Sequence, residues 1–365
     1  MTAERNNKLA LIALLATLFA ACVVSLGAWT RLVDAGLGCP DWPGCYGFLS
    51  VPNEDHEIAL AEARFPGHEV EVEKGWPEMI HRYFAGTLGL VILAMTVWAW
   101  NTQQRESGAF VPRGHISGLL VLVVCQALFG MWTVTLKLWP QVVSIHLLGG
   151  FATLSLLFLL YLRFRFQDQI FESKRLPLKV FKRGAAALLM LVVAQIFLGA
   201  WTAANYAALA CGSEFPACQG QLVPDMDFVH GFNFIQSIGP NYLGGLLNDE
   251  GRVAIQFSHR LGAIILSVCM LTYLALLLKH ASAPGLRNAA FLNLGMLLLQ
   301  VFLGIWNVLE LIPLPIAIAH NGVGALLLLS VIYLNFQLSR IKQEQTMRYS
   351  DENVSIGFAG PAQSH

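Results

Sequence analysis

Residues 9–30 read LALIALLATLFAACVVSLGAWT, a run without a single Asp, Glu, Lys or Arg. About 20 apolar residues in a helix cross the hydrocarbon core of a bilayer, so this run predicts a transmembrane span. It is too long for a removable signal peptide and lacks a small-residue cleavage site; it is expected to stay as an anchor. Runs of the same kind recur at 83–104, 116–136, 138–162, 184–204, 261–278, 288–309 and 311–339. The second and sixth are expected to begin somewhat earlier, near Glu78 and Val253. The fold class that follows is an all-α integral membrane protein with eight transmembrane helices.

Composition agrees. Hydrophobic residues make up 56% of the 365 and charged residues only 13%, against about 25% charged in soluble domains. Mean hydropathy is +0.58. These values exclude a nucleic-acid binder, a disordered tail protein and an ordinary cytosolic enzyme. Lys plus Arg and Asp plus Glu balance at 23 each, but the charges are not evenly placed. Arg5, Lys8, Arg105, Arg113, Lys279, Arg287, the segment 163–183 and a tail with Arg340, Lys342 and Arg348 fall on one side of the spans. The loop 206–251 has no Lys or Arg at all. By the positive-inside rule both termini are expected in the cytoplasm, and the long loops 31–76 and 205–251 outside. The basic run at 163–183 reads as a cytoplasmic loop rather than an anionic-partner patch.

The end of the first span, Gly27-Ala28-Trp29-Thr30, returns as Gly199-Ala200-Trp201-Thr202 at the end of the fifth. Gln126, Gly130 and Trp132 of the third span return as Gln300, Gly304 and Trp306 of the seventh. Four spans per repeat give parallel halves related by an axis along the membrane normal. The chain is therefore expected to be two pseudo-symmetric four-helix bundles: 1–170, 171–340 and a tail, 341–365. The Gly-x-Trp endings read as close helix packing at Gly and an interfacial belt at Trp.

His81 and His146 in the first half match His259 and His320 in the second. Ionisable groups inside a membrane are costly and tend to be functional. Imidazole ligates heme iron, and a four-helix bundle can set two ligands on facing helices. Each pair is thus a candidate clamp for one heme. Zinc fits less well, with two ligands per half and no clustered carboxylates; a proton relay is the competing reading. Arg82 and Arg260 each follow a histidine, and suit either heme propionates or snorkelling to the interface. Glu78 lies three residues before His81 and shares its helix face, whereas the matching position is Gln256. Trp76-Pro77-Glu78 also looks like a helix start, with Pro at its first position. A start signal does not require Glu on the histidine face, which favours a catalytic or proton-handling role for Glu78. His56, His68, His115, His230, His280 and His365 receive no role.

Of seven Cys, Cys22, Cys125 and Cys269 lie within spans and read as small apolar residues. Cys39 and Cys45, and Cys211 and Cys218, form loop pairs after the first and fifth spans. The oxidising side of the membrane favours two local disulfides. Structural staples are one reading and an electron-relaying disulfide at Cys39–Cys45 the other.

The set Glu78-Met-Ile-His81-Arg82, His146-Leu-Leu-Gly-Gly, Ser258-His259-Arg260-Leu-Gly and His320-Asn-Gly-Val-Gly resembles the heme A synthase family across all eight spans and both Cys pairs. The resemblance implies an enzyme that oxidises a ring methyl of heme O to a formyl by two hydroxylations and loss of water, giving heme A for terminal oxidases. It implies substrate heme between His81 and His146 with Glu78 beside it, and a resident heme b between His259 and His320. The implied partners are heme O synthase, terminal oxidase assembly factors and a membrane electron donor such as a quinol. The implied setting is a bacterial cytoplasmic membrane, with room for a homo-oligomer. The rival readings are a quinol-linked diheme cytochrome b and a proton-coupled transporter.

Overall fold

The computed structural model describes residues 2–102, 111–166, 171–173, 177–281 and 283–343. Arg105, Lys174, Arg175 and the tail from 344 onward, including Arg348 and His365, lie outside the described residues. Eight helices are long and apolar enough to cross a membrane: α1 (Thr2–Leu32), α3 (Val72–Asn101), α4 (Arg113–Thr135), α5 (Pro140–Arg165), α6 (Leu178–Ala204), α8 (Asp249–His280), α9 (Pro284–Leu309) and α10 (Leu314–Ser339). Two helices lie in the long loops, α2 (Asp55–Arg64) and the short α7 (Phe228–Gly231). At the opposite end, β1 (Phe171–Ser173) pairs in parallel with β2 (Ile341–Gln343), tying the central connection to the end of α10.

Two helix starts differ from expectation. α3 begins at Val72 and α8 at Asp249. At α8 the reason is capping: the Asn248 side chain accepts from the Gly251 N–H at 3.1 Å, and Asp249 and Glu250 complement the N-terminal dipole. In α3, Pro77 lies inside the helix rather than at its first position. Its missing N–H removes a partner only from the carbonyl of Glu73, an exposed residue in the first turn. The Glu71–Lys74 ion pair, at 2.6 Å, supports that turn.

The helices pack as two rings. In the first, α1 touches α3, α3 touches α4, α4 touches α5, and α5 returns to α1. In the second the same order runs α6, α8, α9, α10 and back to α6. The rings meet where α5 packs on α6 and α10 on α1, with α5 and α10 also in contact. Helices approach closely in lipid through small residues, and α1 buries Ala10, Ala13, Ala16 and Ala20 along one stripe. The opposite face of α1 exposes Leu11, Ile12, Leu15 and Leu18. Such a face belongs against lipid rather than water.

At the loop end, Arg31 of α1 donates to the Ala203 carbonyl at 2.5 Å and stacks over the Tyr206 ring, 3.9 Å from its centroid. Trp139 Nε1 donates to the Gln236 carbonyl at 3.2 Å. The rings are thus fastened to each other by loop contacts as well as by helix packing.

Candidate functional site

His81 stands on α3 and His146 on α5, opposite members of the first ring; His259 on α8 and His320 on α10 hold the same places in the second. Their rings lean on glycines of the adjacent helix. A Cβ at Gly27 would fall 2.9 Å from His81 Cε1, at Gly130 3.3 Å from His146 Cε1, at Gly199 3.2 Å from His259 Cε1, and at Gly304 3.1 Å from His320 Cε1. Cε1 lies between the two ring nitrogens, so each glycine leaves room for the ring edge that carries them. These glycines, expected only to pack helices, shape the pockets of the four imidazoles. The Gly-x-Trp pattern carried that signal, but the sequence does not show which side chain fills the gap. Trp201 also departs from the interfacial belt: it is fully buried, and its Nε1 donates to the Gly231 carbonyl at 2.9 Å.

The His81 and His146 rings lie with centroids 6.4 Å apart and planes at 90°. Two imidazoles sharing one metal through bonds of about 2 Å, each centroid a further ~1 Å behind its nitrogen, come to about 6 Å, so the spacing fits one iron between them. The buried Nδ1 atoms of His81, His146 and His320 have no hydrogen-bond partner among the described residues. The carbonyls of Val23, Gln126 and Gln300 face those three rings, as acceptors face metal-ligating histidines. No group of three or more His, Cys, Asp or Glu gathers as a metal site among the described residues. The donor set therefore suits a planar heme between paired imidazoles better than zinc.

Glu78 is buried on α3 and doubly bound. One carboxylate oxygen accepts the Cys39 N–H at 3.0 Å and the other accepts from Arg82. Arg82 also donates to the carbonyls of Asp41, at 2.9 Å, Pro43, at 3.3 Å, and Gly44. The Cys39–Cys45 disulfide closes this loop. The loop comes in this close because Gly38 has no side chain: a Cβ there would fall 2.5 Å from the Lys74 carbonyl oxygen. Thr30 adds a tie from α1, donating to the Pro77 carbonyl at 3.0 Å. Behind the loop, Tyr46 donates to the Glu69 carbonyl at 2.7 Å. Burial and the nearby carboxylates of Glu71, Glu62 and Asp41 raise its phenol above its ordinary value.

The second ring repeats the frame without the charge. Cys211 and Cys218 are disulfide-bonded, and Arg260 donates to the Ala217 carbonyl at 3.0 Å, as Arg82 does to that of Gly44. Gln256 is buried and its Oε1 has no partner among the described residues; neither do Nε and Nη2 of Arg260. The two arginines, equivalent in sequence, therefore differ: Arg82 is engaged by Glu78 and the loop, and Arg260 keeps buried N–H groups open. Cys22, Cys125 and Cys269 lie on exposed helix surface. His230 pairs with Asp227 at 2.5 Å in the loop, away from the four ring histidines.

Removing one partner of a buried ion pair leaves an uncompensated charge and costs about 3–5 kcal/mol. Arg82→Gln is therefore expected to lower the thermal unfolding midpoint markedly. Arg82→Gln combined with Glu78→Gln is expected to recover part of the loss, so that the two substitutions are clearly non-additive in melts of the purified protein. Additive effects would mean that the pair is not energetically coupled.

The family model COX15-CtaA, described as cytochrome oxidase assembly protein, matches residues 10–332. The chain is 42% identical over 324 residues to a heme A synthase of Shewanella oneidensis, covering 88% of this chain and 93% of the relative. It is 30% identical over 343 residues to a heme A synthase of Agrobacterium fabrum, covering 89% of each, and 28% identical over 334 residues to one of Wolbachia pipientis, covering 87% and 94%. The repeated histidines, the Glu78–Arg82 pair and these matches converge: the chain belongs to the COX15-CtaA cytochrome oxidase assembly family, the heme A synthases.

Proposed function

We propose that this membrane protein is an oxidoreductase that converts heme O to heme A, oxidising one ring methyl group to a formyl. The observation that carries the reading is the asymmetry between two otherwise matching sites. Both offer two imidazoles from opposite helices, and only the first adds a buried carboxylate on the same helix face. His81 and His146 bind the substrate heme through its iron and orient the macrocycle. Glu78 presents its carboxylate to the reacting edge and holds or moves a proton there. Arg82 and the Cys39 N–H keep that carboxylate in place.

His259 and His320 hold a resident heme b, which supplies electron transfer when bound. The open N–H groups of Arg260 meet a propionate, and Gln256 brings no ionisable group. In the first half Arg82, committed to Glu78, serves the carboxylate before it serves a propionate. The halves 1–170 and 171–340 divide the work in this way. The Cys39–Cys45 and Cys211–Cys218 bonds staple the loops that carry the Arg contacts.

The uneven distribution of Lys and Arg supports an orientation with both termini in the cytoplasm and the disulfide loops outside, in a bacterial cytoplasmic membrane. The substrate comes from an enzyme that attaches a farnesyl chain to heme, and the product goes to terminal oxidase assembly. Dioxygen is the oxidant: each hydroxylation places one oxygen atom on the methyl carbon and reduces the other to water, with two electrons and two protons from a membrane donor of the quinol class.

Co-expression with a heme O-producing enzyme under aerobic conditions, followed by mass analysis of extracted heme, tests the reading. The expected product is heme O gaining one oxygen and losing two hydrogens. Recovery of heme O and heme b alone would refute it and leave an electron-carrying diheme cytochrome.

A further inference from the structure

At the end opposite the disulfide loops, the two rings leave a cleft of about 440 Å³ between α5, α6 and α10. Cavities that hold small ligands run to about 300–1,000 Å³. Leu156 and Leu159 of α5, Leu189 of α6, and Ile332 and Phe336 of α10 form its walls, and Arg163 stands at its mouth. From Leu156 to Arg163 the cleft follows α5 for roughly 10 Å, at about 1.5 Å per residue. Its walls are tied in place. Asn335, which also lines the cleft, donates through Nδ2 to the Ala185 carbonyl at 3.0 Å and so joins α10 to α6. The β1–β2 pairing joins the chain after α5 to the chain after α10.

The mouth is cationic. Arg163 Nη1 donates to His115 Nδ1 at 3.1 Å, which leaves most N–H groups of its guanidinium open. Arg165 lies over the Phe166 ring, 5.4 Å from its centroid, and Phe166 packs on Phe336 with centroids 6.2 Å apart. Arg340 lies over Phe336 itself, at 5.2 Å. Neither Arg163 nor Arg165 pairs with a carboxylate among the described residues. The repeat does not demand these charges: as far beyond His320 as Arg163 and Arg165 lie beyond His146 stand Gln337 and Ser339. An arginine at a span end ordinarily snorkels to the interface, and the positive-inside bias accounts for cations at this end. Neither accounts for an apolar cleft with fixed walls opening beside them.

We propose that the cleft binds one anionic phospholipid from the leaflet at this end, with its phosphate on Arg163 and Arg165 and one acyl chain lying between α5, α6 and α10. Basic pockets between transmembrane helices hold anionic head groups in this way, and arginines without a carboxylate partner favour a net negative head over a zwitterionic one. Because α5 belongs to the first ring and α6 and α10 to the second, the lipid bridges the two bundles. The contacts of Arg31 and Trp139 fasten them at the loop end; the lipid fastens them at the other.

The test uses full-length protein purified in detergent and stripped of lipid. It is titrated with phosphatidylglycerol or with phosphatidylcholine of identical chains and followed by native mass spectrometry. One phosphatidylglycerol per chain is expected, bound at least about tenfold more tightly than phosphatidylcholine. At about fivefold for each cation, Arg163→Gln is expected to weaken binding about fivefold, and Arg163→Gln with Arg165→Gln about 25-fold. Lys279→Gln with Arg287→Gln removes as much charge from α8 and α9, away from the cleft, and is expected to leave binding unchanged. Equal affinity for the two lipids, or an equal loss in the Lys279 and Arg287 variant, would overturn the proposal. So would glycerol phosphate binding as tightly as the lipid, since the cleft would then contribute nothing. A dimer that takes up no lipid would place a second copy of the chain over the cleft and overturn it too. If the double arginine variant does not fold, Arg163→Gln against the same control decides.

Discussion

Glu78→Gln is expected to leave both hemes bound and to cut heme A formation by about 100-fold or more, the lower range for losing a positioned acid–base group. Retention follows because the substitution removes none of the four imidazoles and keeps the side chain's shape. The loss follows from the two bonds the carboxylate makes. As an anion Glu78 accepts both the Cys39 N–H and the Arg82 guanidinium. A Gln side chain has one accepting oxygen and would turn an NH2 toward one of those donors. The second bundle already contains this arrangement: Gln256 Oε1 has no partner among the described residues, and Arg260 does not bind it. Glu78→Gln would thus convert the first site toward the form of the second. The measurement is the ratio of heme A to heme O in extracts, beside the low-spin heme spectrum of the purified variant. Wild-type heme A in a variant with intact spectra would remove Glu78 from the chemistry.

That asymmetry was readable from Glu78 against Gln256 alone, and the spans were readable from uncharged runs of bilayer length. Both are properties of single residues or local composition. The environment of Glu78 was not readable, because it depends on a close approach between distant segments. The Cys39 N–H reaches the carboxylate only because the loop crosses the start of α3 at Gly38, and nothing in the local sequence marks that crossing. The Trp residues show a related limit. A Trp at the end of a span suits the interface, yet Trp201 is buried because the 205–251 loop folds back and offers the Gly231 carbonyl. Pro77 misled for a local reason: Pro favours the first helical position, but a helix near its exposed end tolerates the missing N–H a turn further in.

The glycines opposite the histidines are where sequence periodicity was informative and its meaning hidden, and they carry the second large effect. Gly199→Val is expected to abolish the low-spin signal of the second-bundle heme, by ligand loss or heme loss, and with it heme A formation. A Cβ at Gly199 would already fall 3.2 Å from His259 Cε1, a contact that demands some displacement. The two γ-methyls of Val fill the remaining space. His259 cannot simply tilt away, because Gln195 on the same neighbouring helix holds both its ring and its carbonyl. Gly199→Ala is expected to be milder, with a shifted or broadened spectrum and partial activity, since a displacement of a few tenths of an ångström suffices. Gly295 on α9 is the control: it has no heavy atom within 4 Å of an added Cβ, so Gly295→Ala should keep wild-type spectra and product levels. Because Ala favours a helix over Gly by about 1 kcal/mol, neither Ala variant should lose activity through helix propensity. A Gly199→Val protein with an unaltered low-spin spectrum would show that the glycine serves helix packing alone. Loss of that spectrum in Gly199→Val, with Gly295→Ala unaffected, would tie the repeated Gly-Ala-Trp-Thr motif to the placement of the imidazole it faces.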